Sequence, residues 1–172
     1  MPRVDVPDGQ DPLIHVWATL APPLTGAAAR LSDAVYSSSS LSLREFEAAR
    51  TRMAQVNDCL LCLDWRTGRD VAARTDEAGT IDEAFYAHIG DHQWQGFSER
   101  ERLAAEFAER YALDHTNMDD ELLARLHAVF SDDELVDLGV CVGSWLAYGR
   151  FNRVFDIDGA CRIPARNAQP SS

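Results

Sequence analysis

No lysine occurs in the 172-residue chain; all sixteen basic residues are arginine. Without a side-chain amine there is nothing to form a Schiff base and no P-loop cation, which excludes pyridoxal enzymes, lysine aldolases and Walker-type ATPases. Basic charge is also scarce in total: 16 basic residues against 28 acidic ones leave a net charge of -12. Such a surface repels phosphate backbones and anionic headgroups, so neither nucleic acid nor a membrane is expected as a partner. Long apolar runs are missing, and Met1 to Asp11 lacks the apolar segment of a secretory signal, so the expected location is cytoplasmic. Cysteine is sparse as well. Four residues in this length are too few for a disulfide scaffold.

What remains is the composition of an ordinary globular protein, 46% hydrophobic and 26% charged, sized for one domain. Residues 11–158 form the expected domain, with 1–10 and 159–172 as poorly ordered tails whose Pro, Asn, Gln and Ser replace apolar residues. The pattern is all-helical. Four boxes of a hydroxyl followed three residues on by a carboxylate, Ser42/Glu45, Thr80/Glu83, Ser98/Glu101 and Ser131/Glu134, mark helix starts. Helices are expected at Leu13 to Leu20, Leu24 to Tyr36, Leu43 to Val56, Cys59 to Ala78, Ile81 to Ile89, Glu99 to Leu113, Glu121 to Phe130 and Asp132 to Phe155. The last is apolar around most of its circumference. It is expected to be a core helix or to give one face to a subunit interface.

Cys59 and Cys62 stand at the start of one of these helices, and Cys59, Cys62 and Arg66 fall on one face if the helix is continuous. Exposed amides at a helix start and a nearby cation both favour thiolate over thiol. At an effective dielectric of about 20, a cation at 5 Å is worth about 3 kcal/mol and lowers a thiol pKa by at most roughly two pH units. An i, i+3 spacing lets the pair close to a disulfide with local adjustment only. Neither a second Cys-x-x-Cys nor a His-x-x-x-His accompanies the pair, so no zinc site and no other metal or cofactor is expected. Cys141 and Cys161 lie outside any motif and read as packing.

The stretch Leu41 to Cys62, LSLREFEAARTRMAQVNDCLLC, resembles the signature of the alkylhydroperoxidase D and carboxymuconolactone decarboxylase superfamily. The resemblance continues through Phe97 to Arg102, Asp119 to Glu134 and Arg150 to Arg153. It implies an all-α, AhpD-like helical fold and a homo-oligomer. Redox members resemble a pattern of Glu, then Cys-x-x-Cys twelve residues on, then His four residues after the second Cys. Glu47, Cys59 and Cys62 match, whereas the last position is Arg66 and the position before the second Cys is Leu61. The resemblance therefore implies a thiol-dependent peroxidase or disulfide-exchanging oxidoreductase with catalytic Cys59, Cys62, Glu47 and Arg66. In it Glu47 accepts protons, if burial raises its pKa. Arg66 stabilises a thiolate but cannot shuttle protons as imidazole does. His88 or His92 could supply a relay by folding back, and Trp65 could shield the site from water.

Two further readings follow. A decarboxylase-like lyase acting on a small carboxylated lactone would use Arg66, His88 and His92 as anchors and acid–base groups. A non-catalytic helical oligomer with a vestigial site would seal both cysteines in apolar packing and turn Glu47 to solvent. The partners expected are a small peroxide or carboxylate and, for the redox reading, an unknown thiol or disulfide reductant.

Overall fold

The computed structural model describes residues 1–75, 81–91 and 93–158. Among them nine α-helices occur and no strand: α1 (Pro12–Thr19), α2 (Pro22–Ser38), α3 (Leu43–Val56), α4 (Leu60–Asp64), α5 (Thr67–Asp70), α6 (Glu83–Ala87), α7 (Glu99–Leu113), α8 (Asp120–His127) and α9 (Asp132–Phe155). Three of the four expected capping boxes form with both hydrogen bonds, at Ser42, Ser98 and Ser131. The fourth does not. Asp82 caps α6 by accepting from Phe85 N, which leaves Glu83 at the first helical position, and Thr80 lies outside the described residues. Pro22 and Pro23 open α2, where a missing amide costs nothing, instead of filling the break before it.

The core is organised around α3 and α7, which run parallel. Their amino-terminal turns exchange charges reciprocally: Arg44 reaches Glu101 (2.7 Å), and Arg100 reaches Glu45 (2.5 Å). Each of these carboxylates is also the reciprocal partner in its own helix's capping box, so one pair of glutamates serves both helix starts and the seam between them. Farther along, Arg52 meets Glu109 at 2.9 Å. Beneath this polar seam, Phe46, Met53, Leu103, Leu126, Leu138 and Trp145 build the main apolar cluster.

The central helix is α3, with ten buried residues including Glu45, Glu47 and Arg50. Of the two expectations for α9, a helix buried all round is not found. Leu138, Cys141, Val142 and Trp145 are buried, while Val136, Val140 and Val154 form an exposed face. At its carboxyl end α9 receives the N-terminal segment: Arg3 N donates to Phe155 O, and the terminal ammonium pairs with Asp156. Residues 159–172, including Cys161, lie outside the described residues.

The expected helix from Cys59 to Ala78 is not continuous. Trp65 and Arg66 are extended, and the chain divides into α4 and α5. The cause is competition for carbonyls. Cys62 O and Trp65 O accept from Arg50, and Leu63 O accepts from Arg66, so side chains take the acceptors that later helical amides would need. Gly79, the expected stop, lies outside the described residues, whereas Gly90 closes the turn after α6 at φ +96°.

Close packing between the end of α3 and α9 depends on Gly149. A Cβ there would lie 2.4 Å from Asn57 Nδ2, which donates to Trp145 O. Gly149→Ala is expected to lower stability by about 1–3 kcal/mol despite its better helix propensity. Urea unfolding monitored by circular dichroism checks the sign.

Candidate redox site

Cys59 is the N-cap of α4, and its sulfur accepts from Cys62 N at 3.3 Å. Asp58 immediately before it has φ +50°, the turn that separates α3 from α4. The two cysteines are joined as a disulfide with their Cα atoms 5.2 Å apart. Their environments differ: Cys59 is wholly buried, whereas Cys62 is half-buried. Cys62 borders a cavity of about 430 Å³ walled mainly by aromatic and aliphatic side chains, among them Trp17, Tyr36, Leu61, Trp65 and Trp145. At the other side of the turn, Leu60 N donates to the buried Asp158 carboxylate at 3.4 Å.

Glu47 is brought to this site, but in an unexpected state. It is fully buried and gripped by Arg50, whose Nε donates to Oε1 (2.5 Å) and Nη2 to Oε2 (3.0 Å). Thr67 Oγ1 donates to Oε1 as well, at 2.5 Å. Burial alone would raise its pKa. The Arg50 charge and hydrogen bonds, with Thr67 and a further contribution from the Tyr86 hydroxyl, outweigh burial and hold the carboxyl below its usual range. The condition on which Glu47 was expected to act as proton acceptor is therefore not met. Burial also pushes the neighbouring Tyr36 hydroxyl up to about 12, so it stays protonated at neutral pH.

The arginine expected beside the sulfurs, Arg66, is directed elsewhere. Arg66 lies over the Tyr86 ring at 3.9 Å, pairs with Glu83 at 3.3 Å and donates to Leu63 O and Trp65 O. No hydrogen bond takes it to either sulfur, because the break after Asp64 removes it from the face that carries the cysteines. The cation at the Cys62 turn is Arg50, which donates to Cys62 O at 2.6 Å and Trp65 O at 2.8 Å. One signal could have found it: Arg50 stands three residues after Glu47, the spacing at which two side chains on a helix meet.

His88 does not fold back to the thiols. Its Nδ1 lies 2.8 Å from Ala84 O, and its ring stacks on Trp94. His92 lies outside the described residues. Trp65 does wall the cavity beside Cys62. Cys141 is buried and bonded to Asp137, and burial with that carboxylate pushes its thiol up to about 12, the setting of an inert structural cysteine. Among the described residues no cluster of His, Cys, Asp and Glu could hold a metal ion, and no helix is long and apolar enough to cross a membrane.

An all-helical fold carrying a Cys-x-x-Cys disulfide beside an apolar cavity defines the class, and comparison with known proteins places the fold. A crystal structure of ATU0492 from Agrobacterium tumefaciens, a protein of unknown function assigned provisionally to AhpD antioxidant defence, superposes with a TM-score of 0.66. Identity is 24%, and the match covers 81% of this chain and 92% of that one. The chain thus has the AhpD-like fold, in agreement with the resemblance carried by Leu41 to Cys62. It is also 37% identical over 119 residues to the uncharacterized protein YnjA of Escherichia coli (strain K12); the match spans 68% of this chain and 63% of that protein's length. No protein-family model matches.

The buried Glu47–Arg50 pair makes a direct prediction for stability. Arg50→Met or Glu47→Leu, each leaving one buried charge unpartnered, is expected to cost about 3–5 kcal/mol, and the double variant less than either single. Because Glu47 titrates lower in the folded chain, its stabilisation is fully present above the ordinary glutamate value of about 4.3 and is lost as pH falls through the folded value. Denaturant unfolding between pH 7 and 3 should show wild-type stability falling at the acid end, and the double variant should lose that part of the dependence.

Proposed function

We propose that this protein is a thiol-dependent oxidoreductase of the alkylhydroperoxidase D-like group, cycling Cys59 and Cys62 between dithiol and disulfide. The observation that carries this reading is the pair's placement: a joined Cys-x-x-Cys with one sulfur sealed behind it and the other bordering a cavity. In the reduced state Cys62 is the accessible nucleophile and Cys59 the resolving thiol. The Cys62 thiolate attacks the terminal oxygen of a hydroperoxide and breaks the O–O bond. The departing alkoxide takes a proton to become an alcohol, and Cys62 becomes a sulfenic acid. Cys59 then displaces the sulfenic oxygen, which leaves as water. Two thiols and one hydroperoxide give one disulfide, one alcohol and one water. A small dithiol or a protein dithiol restores the reduced pair by exchange and is itself oxidised to a disulfide.

In this reading Cys62 takes its ionisation from the Arg50 guanidinium below the turn, while its own amide faces the Cys59 sulfur. Arg66 acts indirectly, holding the extended break through Leu63 O and Trp65 O. A homo-oligomer closing over the exposed Val136, Val140 and Val154 face, and a cytoplasmic location, complete the proposal. The lyase reading loses its support because Arg66 and His88 are committed to Tyr86, Glu83 and Trp94 and do not line the cavity. The vestigial-site reading expected Glu47 in solvent and both cysteines sealed, and neither arrangement is found.

Peptide-resolved mass spectrometry of the reduced protein with substoichiometric cumene hydroperoxide tests the proposal. The expected result is a Cys59–Cys62 disulfide formed while Cys141 stays a thiol. Cys59→Ser should stop at a trappable Cys62 sulfenic acid, and Cys62→Ser should abolish the reaction. Equal labelling of Cys59, Cys62 and Cys141 by iodoacetamide, with both site thiols surviving the peroxide, would overturn it.

A further inference from the structure

The relay expected of this site needs a carboxylate that takes up and releases a proton near neutral pH and a histidine to pass it on. Among the described residues neither group is present in that form. Glu47 has both oxygens occupied by Arg50 and one of them also by Thr67, and Arg50 cannot release a proton in a protein. Together they are a neutral, almost wholly buried unit beneath the redox turn, with Arg50 bordering the cavity. Arg50 also donates to Thr51 Oγ1, to Cys62 O in the middle of α4 and to Trp65 O at its carboxyl end, so the pair ties α3 to α4 and, through Thr67, to α5.

We propose that Glu47 and Arg50 form a charge-compensated positioning pair that holds the Cys62 turn and sets the ionisation of its thiol, and that Glu47 is not a proton-relaying acid. The inference rests on the redox reading only for the identity of the thiol whose chemistry it tunes. The pair works by balance. Arg50 favours a thiolate at Cys62 and Glu47 opposes it; their sum leaves a modest preference, fixed because neither group is free to titrate or to swing away. In thiol–disulfide exchange an incoming thiolate bonds to one sulfur of the disulfide and the other leaves as a thiolate. A second thiolate on the reductant then displaces the first sulfur, and two protons are taken up by the dithiol. Any group that alters the cost of the leaving thiolate alters that equilibrium.

Other ionisable groups face this unit and are accounted for. Tyr36 from α2 and Tyr86 from α6 both have their hydroxyl pKa raised and remain neutral. Arg66 stacks on Tyr86 and is paired with Glu83. Asp70 on α5 is held ionised by hydrogen bonds from Arg69 and from Arg66 N. Asp158 lies on the far side of the turn, at Leu60 N.

The test compares charge with structure. In reduced protein, the pH dependence of the Cys62 alkylation rate is measured for wild type, Glu47→Gln and the Glu47→Gln/Arg50→Gln double variant. Removing only the negative charge leaves Arg50 unopposed and should lower the Cys62 midpoint by on the order of one pH unit. The double variant, again neutral, should return to within a few tenths of a pH unit of wild type. A double variant displaced as far as the single one, or an unmoved single variant that keeps its near-ultraviolet dichroism, would overturn the proposal. If Glu47→Gln does not fold, wild type decides alone. Carboxyl ¹³C resonances of the reduced protein should show Glu47 ionised throughout pH 5 to 8, whereas uptake of a proton there as Cys62 ionises identifies a relay acid and defeats the inference. Inertness of both thiols toward peroxide would defeat the redox reading separately, without altering either measurement.

Discussion

A carboxylate and a guanidinium, both stripped of water, meet one turn apart in the middle of α3, and the geometry of the redox segment follows from that meeting. Two such charges cannot be left unpaired in a low-dielectric interior, so each must satisfy the other and fill its remaining hydrogen-bonding capacity nearby. Glu47 does so with Thr67, and Arg50 with the carbonyls of Cys62 and Trp65. Those three bonds hold the segment from Cys59 to Asp70 as two short helices with an extended joint. The joint in turn separates Arg66 from the sulfurs.

The same economy governs the seam between α3 and α7. Glu45 and Glu101 each perform two tasks, closing a capping box in their own helix and accepting from the arginine of the other, Arg100 and Arg44. The consequence is a central helix that is polar in sequence yet buried in the fold. Its partner α9 shows the converse, an apolar sequence with an exposed face at Val136, Val140 and Val154. Hydropathy alone ranks these two helices in the wrong order of burial, because it counts each charged residue as if it faced water, whereas here arginine and glutamate neutralise each other across α3 and α7.

Around the cysteines, burial divides labour that spacing alone does not. Cys59 caps α4 from inside the core, and Cys62 stands half-exposed at the cavity wall. The cavity beside Cys62 is walled mostly by aromatic and aliphatic side chains, with Arg50, Asn57 and Asn152 among its polar members. Cys141 provides the internal contrast: it is as buried as Cys59, but it sits against the Asp137 carboxylate, and burial with that carboxylate outweighs the lowering effect of Ser39 and Arg74 on its thiol.

Much of this was legible in the amino-acid order. Capping at Ser42, Ser98 and Ser131 is local chemistry, decided within four residues, and it marks the starts of α3, α7 and α9. The Cys-x-x-Cys pair and its position at a helix start were legible for the same reason. What tertiary structure alone decided was which charges met the site. Arg66 was favoured by a helical register that holds only if the helix continues, and Arg50, from another helix, is the residue that ends it. Glu47 could be placed near the cysteines from sequence, but its state depends on burial and on three partners distant from it by 3, 20 and 39 residues along the chain. Short-range order is written in neighbouring residues; the cost of an enclosed charge is settled only when the whole core has closed around it.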